Sequence, residues 1–295
     1  MSLGLKDALH LTLKAIRPLP AVNVALAEGV DRVAAADLCA LVDSPSMDVS
    51  RKDGYAVLSR EITGATAANP ARLRLSGCAA AGGQECLSLD AGTTVRVLTG
   101  ARIPDGADAV VAEEYTRRQG SDVLIEAPIE RGKNVLPRGG DVHSGKRILA
   151  SGRRISPAIA DLLAAAGHSV VPVFGSPVVG IGGSGDEIVE PGGPLAEGKL
   201  YASNIVTLAG WCNRYNMEYR TGIVGDDHDA ILAAFRQMSA ETDAMITSGG
   251  AWTGDRDMVA GVLEVLGWEG VFHRIRMGPG KAVGFGILGL KPVFI

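Results

Sequence analysis

Residues 180–192 read GIGGSGDEIVEPG and begin inside the apolar run SPVVGIGG. An apolar run that ends in glycines is typical of a buried strand followed by a sharp turn. Such turns bind phosphate through bare backbone N–H groups, and negative side chains would repel that ligand. Asp186 and Glu187 nevertheless occupy the turn. Either both acids face away from the ligand, or they hold a cation such as Mg²⁺ that bridges carboxylate and phosphate oxygens.

Strand-like and helix-like segments alternate after this turn. In order they are the helix VTLAGWCNRYN, the strand YRTGIVG, the helix HDAILAAFRQMSAE, the strand DAMITSGG and the helix DMVAGVLEVLG. This alternation predicts a parallel sheet with helices on both faces, whose ligand lies beyond the carboxyl ends of the strands. The loops GGSGDE and SGGAWTGDRD both follow strand ends, so we expect them to face one crevice. The final residues, GILGLKPVFI, are predicted to contain a further strand.

The first half of the chain has a different pattern. Apolar residues at helical spacing predict a helix over residues 5–16. Between residues 21 and 130, short β-prone runs such as TTVRVLTG, DAVVAEEY and DVLIEAPI alternate with turn signals, which indicates a small β-rich domain. The stretch SPAIADLLAAAGH predicts a second helix, with Ser156 as its N-cap and Pro157 in its first turn.

Composition excludes several classes of protein. A chain of 295 residues suggests two or three domains, and a net charge of -4 lacks the basic excess that nucleic acid or an anionic membrane requires. The chain contains 39 glycines but only 4% aromatic residues. Because glycine is concentrated in turns and close backbone approaches, we expect the functional residues to lie in loops. Four scattered cysteines show no zinc or redox spacing and are expected to be free thiols. With neither a signal peptide nor an apolar run of about 18 residues, the sequence predicts a cytoplasmic protein.

The loop SGGAWTGDRD carries the largest set of candidate site residues. Gly249 and Gly250 permit close approach of the backbone to a ligand, and Thr253 offers a hydroxyl group. Asp255 and Asp257 can bind Mg²⁺ or cap the next helix. Capping suits Asp255, whereas Asp257 lies where the helix has begun and needs another reason.

Other candidates also have both a functional and a structural interpretation. Glu187 is expected to project into the crevice, with Asp186 shaping the turn. Asp227 is expected to face the site, although an acid pair before a helix is also a usual helix-start signal. Lys281, on a Gly-Pro-Gly turn, can reach a phosphate or remain solvated. For three further candidates, taken one at a time, the residues favour a turn or strand-end hydrogen bond over a functional role: Asp53, Thr99 and Asp141.

Seven stretches, taken in order, resemble the signatures of one family. They are SMDVSRKDGYAV, LTGARIPDGADAVVAEE, RGKNVLPRGGDVHSGKRI, GSGDEIVEPGGPLAEGKLYASN, GIVGDDHDAI, TSGGAWTGDRDMV and RMGPGKAVGFG. The family is that of the molybdopterin molybdenumtransferases, or MoeA proteins, which include the E domain of gephyrin. The resemblance runs from the first helix to the last residue.

The resemblance implies a multidomain fold class of α/β plus β-rich. A linker domain would comprise residues 1–20 and 141–172, a β-rich domain residues 21–140, and a three-layer, MogA-like molybdopterin-binding domain residues 173–295. The family's C-terminal β-barrel-like domain is expected to be missing from this chain. The implied partners are a second copy of the chain in an elongated homodimer, a pterin substrate and the molybdopterin adenylyltransferase, with no nucleic acid or membrane.

The implied reaction inserts molybdenum from molybdate into adenylylated molybdopterin, with Mg²⁺-dependent release of AMP. Matching positions assign catalytic roles to Asp53, Asp141, Glu187, Asp227 and Asp257. The implied cofactor-binding residues are Thr99, Gly185, Ser248, Gly249, Gly250 and Lys281. Glu187 and Asp257 are the implied metal ligands. In the family the site lies between two subunits.

Departures from the family pattern leave other functions open. Gly278 stands where the family has a lysine, and Trp252 brings a bulky ring into a ligand loop. Arg51 and Lys52 add two positive charges before the first Asp-Gly-Tyr-Ala. These differences favour, as an alternative, a non-catalytic paralogue that binds a pterin or nucleotide as carrier or regulator. A scaffold is a third interpretation, but no sequence feature points to a protein ligand.

Overall fold

The structure is a computed structural model that describes residues 3–83, 87–249 and 258–295. The chain divides into two compact units, which we call the α/β unit (Met1–Ala21 and Phe174–Ile295) and the β-rich unit (Val22–Val173). In the described ranges, no helix combines the length and the apolar composition needed to cross a bilayer. Cys39, Cys78 and Cys212 are free thiols, as expected, and Cys86 lies outside the described residues.

The α-helices of the described residues are α1 (Leu5–Ala15), α2 (Pro157–Ala165), α3 (Ser203–Arg214), α4 (His228–Glu241) and α5 (Met258–Val265). Both helices predicted in the first half of the chain are confirmed. The Ser156 hydroxyl caps α2 by accepting a hydrogen bond from the Ile159 N–H at 3.3 Å. Proline is tolerated in the first turn of a helix because the N–H group that it lacks would have no partner within the helix.

The strands, numbered along the chain, are β1 (Ala21–Ala25), β2 (Leu38–Cys39), β3 (Val49–Ser50), β4 (Gly54–Val57), β5 (Ala71–Ala79), β6 (Thr93–Val97), β7 (Ala109–Ala112), β8 (Thr116–Gln119), β9 (Asp122–Ile125), β10 (Val135–Leu136), β11 (Arg147–Leu149), β12 (Val170–Phe174), β13 (Val178–Ser184), β14 (Ile188–Val189), β15 (Leu200–Tyr201), β16 (Glu218–Val224), β17 (Ala244–Ser248), β18 (Trp268–His273), β19 (Gly284–Leu288) and β20 (Lys291–Phe294).

The α/β unit contains one six-stranded sheet with the order β16-β13-β17-β20-β19-β18. The predicted parallel pairing is confirmed for β16, β13, β17 and β20. It is wrong for β19, which runs antiparallel to both of its neighbours. The C-terminal stretch is a hairpin of β19 and β20 joined by Gly289 and Leu290, because two residues suffice to reverse the chain between antiparallel strands.

Glycines of the central strand β13 allow helices to pack closely on both faces of this sheet. A Cβ atom on Gly182 would lie 2.8 Å from the Phe235 ring of α4. One on Gly183, which faces the other side, would lie 2.9 Å from the Ile205 side chain of α3. The sheet therefore lies between α4 and α3, which confirms the three-layer arrangement expected from the sequence.

The β-rich unit contains a second six-stranded sheet, with the order β7-β4-β6-β5-β9-β8. Its pairs are antiparallel except that of β5 with β6. Buried side chains on one face form a core that includes Tyr55, Val57, Ile62, Val111 and Ile125. The β-prone runs TTVRVLTG, DAVVAEEY and DVLIEAPI supply β6, β7 and β9, as predicted.

A separate core in the β-rich unit joins its two ends. It includes Leu26, Ala34 and Leu38 from the first part, and Ile155 and Leu163 from the last part. Two-stranded sheets pair β1 with β12, β2 with β11 and β3 with β10. The division into a linker domain and a β-rich domain, with boundaries at residues 20, 140 and 172, stays a prediction.

Candidate active site

Loops that carry candidate residues leave one edge of the α/β sheet together. Ser184 of β13 is in register with Val224 of β16, and Gly183 is in register with Ser248 of β17. The Gly185 N–H donates to the Val224 carbonyl at 3.1 Å. The loops after these strands therefore begin side by side, as the alternating pattern predicted.

The edge carries a cavity of about 250 Å³, which we call the edge cavity. Its lining includes Ser184, Glu187, Asn204, Ser248 and Gly249. The Asn204 side-chain amide donates to the Ser248 hydroxyl at 3.0 Å and thereby joins α3 to β17. Three of the predicted site residues therefore lie around one cavity.

The first turn of α3 lines the edge cavity with its N-terminal end. Ser203 and Asn204 belong to this turn and to the cavity lining. No side chain caps α3 from its N-cap residue, Ala202. Backbone N–H groups at a helix start carry partial positive charge and bind anions. The arrangement thus provides an anion-binding end of a 12-residue helix beside a carboxylate.

Glu187 folds back over the glycine of its own turn. A Cβ atom on Gly185 would lie 2.6 Å from a Glu187 carboxylate oxygen, so a larger residue would displace that carboxylate. The Glu187 carbonyl accepts a hydrogen bond from the Leu200 N–H at 2.7 Å. Glu187 is thus held at the cavity by its own backbone, and Gly185 contributes by leaving space.

Gly249 is required at the end of β17 for two reasons. Its φ of +101° is in the region that favours glycine, and a Cβ atom would lie 2.4 Å from the Ser184 carbonyl oxygen. Gly250 and residues 251–257, with Trp252 and the predicted catalytic residue and metal ligand Asp257, lie outside the described residues. Their predicted roles stay predictions.

The acids of the neighbouring turns make structural contacts. Asp186 accepts a hydrogen bond from the Asp226 N–H at 3.0 Å, which joins the two loops. Asp227 is the N-cap of α4 and accepts from the Ala230 N–H at 2.8 Å. Asp227 therefore caps α4 in the structure. Its catalytic role stays a prediction.

Lys281 is exposed on the segment between β18 and β19. Its carbonyl accepts a hydrogen bond from the Ile275 N–H at 3.1 Å. The next residue, Ala282, lines a cavity of about 390 Å³ that shares Ser248 and Gly249 with the edge cavity. Lys281 is thus adjacent in sequence to a residue that lines this neighbouring cavity. Its contact with a ligand stays a prediction.

In the β-rich unit, the structure brings Asp53 and Thr99 into direct contact. One Asp53 carboxylate oxygen accepts from the Thr99 N–H at 2.6 Å and from the Thr99 hydroxyl at 2.8 Å. These two hydrogen bonds, with a smaller contribution from the positive charge of Arg96, hold the pKa of Asp53 below its usual range. Asp53 is therefore a carboxylate at neutral pH.

Asp141 is exposed in the loop between β10 and β11. Its N–H donates to the Ser44 carbonyl at 2.9 Å. Residues 40–48 hold this loop through backbone hydrogen bonds. The catalytic role of Asp141 stays a prediction.

Mg²⁺ suits the chemistry of the edge cavity. Mg²⁺ is usually bound by one or two carboxylates together with phosphate oxygens and water, so a large acid cluster is not required. The described residues contain no group of three or more acidic, histidine or cysteine side chains that could hold a metal ion. Glu187 supplies one carboxylate at the cavity, and the pairing with Asp257 stays a prediction.

Sequence reasoning missed Ser203 and Asn204 as cavity residues. The sequence pattern predicts that this helix begins at Val206, whereas α3 begins at Ser203. The N-cap residue, Ala202, gives no signal for the earlier start, because alanine caps helices poorly. The signal that could have found them is the Ser-Asn pair directly before the apolar helix pattern.

Models of two protein families match this chain. The family described as the MoeA N-terminal region (domain I and II) matches residues 3–167. The family described as a probable molybdopterin binding domain matches residues 181–294. The first match covers most of the β-rich unit, and the second covers most of the sheet that carries the edge cavity.

Relatives and solved structures are similar over most of the chain. A molybdopterin molybdenumtransferase from Bacillus subtilis (strain 168) is 33% identical over 88% of this chain, which spans 61% of that relative. One from Synechococcus elongatus is 33% identical over 97% of this chain and 73% of the relative. A crystal structure of a molybdopterin biosynthesis MoeA protein from Pyrococcus horikoshii covers all of this chain and 74% of its own, with 32% identity and a TM-score of 0.81.

Proposed function

This chain belongs to the molybdopterin molybdenumtransferase (MoeA) family, and from that premise we propose that it acts in molybdenum cofactor biosynthesis. It inserts molybdenum from molybdate into adenylylated molybdopterin, with Mg²⁺-dependent release of AMP. The enzyme is a cytoplasmic homodimer, and the molybdopterin adenylyltransferase supplies its substrate.

The edge cavity is the observation that carries this proposal. It combines the N-terminal end of α3 with the Glu187 carboxylate at the carboxyl edge of a parallel sheet. An anion-binding helix end next to a carboxylate is unfavourable for a bare phosphate but suits a phosphate that is bound with a divalent cation. A pyrophosphate with Mg²⁺ has this charge pattern.

Several side chains of the α/β unit would bind and orient the substrate. The Asn204–Ser248 hydrogen bond joins α3 to β17 at the cavity and would hold both side chains in place for the substrate. Glu187 and Asp257 would hold Mg²⁺, and the ion would supply positive charge next to the phosphate oxygens. Lys281 would neutralise a phosphate as a point charge.

The β-rich unit would supply carboxylates and a hydroxyl group. Asp53 remains ionised because two donors of Thr99 stabilise its charge. It can therefore orient a positively polarised group by its fixed negative charge during molybdate insertion. Asp141 is proposed as a second carboxylate of this kind.

The test is release of AMP from adenylylated molybdopterin with molybdate, in the presence and absence of Mg²⁺. We expect AMP release that depends on Mg²⁺ and falls strongly in Glu187→Gln. Glu197→Gln is the control, because Glu197 is an exposed glutamate in the nearby loop between β14 and β15 and does not line the edge cavity. Wild-type release by Glu187→Gln would contradict the proposed site.

A second candidate function is that of a non-catalytic carrier or regulator that binds a pterin or nucleotide. It is favoured by the Gly278-Pro279-Gly280-Lys281 stretch, which offers one lysine where the family pattern has two. Equilibrium dialysis distinguishes the two functions by the state of the ligand that is recovered. The carrier binds adenylylated molybdopterin and leaves it unchanged. The enzyme converts it and releases AMP.

A further inference from the structure

We propose that Asp43 is a positioning residue for Asp141, because its carboxylate fastens the loop of residues 137–145 on both sides of that acid. The inference rests on the proposed function, in which Asp141 acts in the reaction. Asp43 does not belong to any of the seven family-like stretches.

The contacts of Asp43 lie symmetrically about Asp141. One carboxylate oxygen accepts from the Arg138 Nε at 2.6 Å, three residues before Asp141. The other accepts from the Ser144 N–H at 2.8 Å, three residues after it. Only 16% of the Asp43 side chain is exposed. Both oxygens of a largely buried carboxylate are thus used to hold one loop.

Neighbours of Asp43 hold the same loop at further points. Asp48 accepts a hydrogen bond from the Arg138 N–H at 2.8 Å. The Asp141 N–H donates to the Ser44 carbonyl at 2.9 Å, and the Gly139 N–H donates to the Pro45 carbonyl at 2.8 Å. Residues 43–48 therefore hold the loop at several points, and the Asp43 carboxylate binds it on both sides of Asp141.

The charge of Asp43 matters because hydrogen bonds to an ionised group are shorter and about twice as strong as neutral ones. The Ser144 N–H and then the Arg138 guanidinium hold the pKa of Asp43 below its usual range. An asparagine in its place can accept one of the two bonds with its oxygen, but its NH₂ group cannot accept the other. The loop would be released on one side of Asp141.

The chain contains a matched control in Asp37. Its carboxylate accepts from the Arg147 guanidinium at 2.8 Å and from the Ser151 N–H at 2.8 Å, so it makes the same two kinds of bond. The pKa of Asp37 is likewise lowered, first by Arg147 and then by Ser151. The loop that Asp37 holds carries none of the predicted site residues.

The experiment compares Asp43→Asn, Asp37→Asn and Asp141→Asn in AMP release from adenylylated molybdopterin with molybdate and Mg²⁺. We expect Asp43→Asn to lower kcat about tenfold or more with little change in KM, because a displaced catalytic group affects turnover. Asp37→Asn should keep the wild-type kcat. Amide hydrogen exchange should increase over residues 138–145 in the first variant and near Ser151 in the second.

The outcomes separate this inference from the proposed function. Absence of AMP release by the wild type would overturn the proposed function. Wild-type turnover by Asp141→Asn would leave that function standing and overturn the catalytic role of Asp141, and with it the positioning role of Asp43. Loss of turnover in Asp141→Asn but equal kcat in Asp43→Asn and Asp37→Asn would overturn the positioning role alone. If Asp43→Asn does not fold, Asp43→Glu keeps the charge but displaces both oxygens by one methylene group, and wild-type kcat in that variant would overturn the inference.

Discussion

Thr99 donates two hydrogen bonds to a single carboxylate oxygen of Asp53, although the two residues are 46 positions apart in the chain. One donor is a backbone N–H and the other a side-chain hydroxyl, so substitution can remove the second and leave the first. The contact therefore offers a way to change the ionisation of Asp53 without changing Asp53 itself.

Thr99→Val should raise the pKa of Asp53 toward its usual range. The folded-state pKa of Asp53 is lowered by the Thr99 N–H and hydroxyl, and loss of the hydroxyl removes one of these stabilising donors. If the reaction requires the Asp53 carboxylate, the rate of Thr99→Val should begin to fall at a higher pH than that of the wild type when the pH is lowered. A pH profile of AMP release measures this, with Thr116→Val as control, since the Thr116 hydroxyl donates to the Glu113 carbonyl in the same unit. Identical acid limbs in both variants would contradict the prediction.

Acid sensitivity of the fold should depend on Asp37 and Asp43. Both pKa values are lowered from 3.8 in the folded state, so their stabilisation is complete above 3.8 and is lost as pH falls through the lower folded values. The double variant Asp37→Asn/Asp43→Asn should therefore show a smaller decrease in unfolding free energy with acidification than the wild type. Urea denaturation at a series of pH values measures it, and parallel curves would contradict it.

Gly249→Ala should damage the edge cavity through a clash with the backbone. The substitution strains a residue at φ +101° and places a Cβ atom 2.4 Å from the Ser184 carbonyl oxygen. Gly192→Ala is the matched control, because Gly192 has φ +103° and open space around its Cβ position. Both should lose roughly 1–3 kcal/mol of stability from backbone strain. A further loss, together with loss of substrate binding, is expected only in Gly249→Ala, by calorimetry and equilibrium dialysis.

Asn204→Ala should weaken substrate binding rather than abolish turnover. It removes the hydrogen bond between α3 and Ser248 at the cavity. A neutral hydrogen bond contributes about 0.5–1.5 kcal/mol, so we expect KM to rise roughly two- to tenfold. Asn213→Ala, at an exposed position of the same helix, should leave KM unchanged. Steady-state kinetics of both variants provide the measurement.

Two substitutions of Asp227 distinguish capping from catalysis. Asparagine caps a helix about as well as aspartate, so Asp227→Asn should keep the melting temperature, whereas Asp227→Ala should lose about 1 kcal/mol. If Asp227 also acts in the site, Asp227→Asn loses turnover in spite of its stability. Full activity of a stable Asp227→Asn would assign this residue to the cap of α4 alone.

Local sequence patterns predicted the elements whose signals are themselves local. The helix HDAILAAFRQMSAE was predicted over the residues that form α4, because Asp227 caps it and its apolar residues recur at helical spacing. The start of α3 was missed because Ala202 gives no capping signal. The reversal between β19 and β20 was missed although it has a local signal, because glycine at the first position of a two-residue loop, here Gly289 with φ +65°, favours a hairpin.

Contacts between distant segments could not be predicted by spacing. Asp43 and Ser144 are 101 positions apart, and no periodic pattern joins them. The meeting of loops at the edge of the sheet could be predicted, because parallel strands end on the same side. Which side chains line the cavity there depends on side-chain packing, as Glu187 over Gly185 shows.

The glycine at position 183 has a consequence for the wall of the edge cavity. Ile205 of α3 comes within 2.9 Å of the place where a methyl group would be, and Asn204, the residue before it, lines the cavity. Ile188 is almost as close, at 3.0 Å, and both isoleucines line the same cavity. The missing side chain of Gly183 thus lets two neighbouring side chains close against the strand and form the cavity wall.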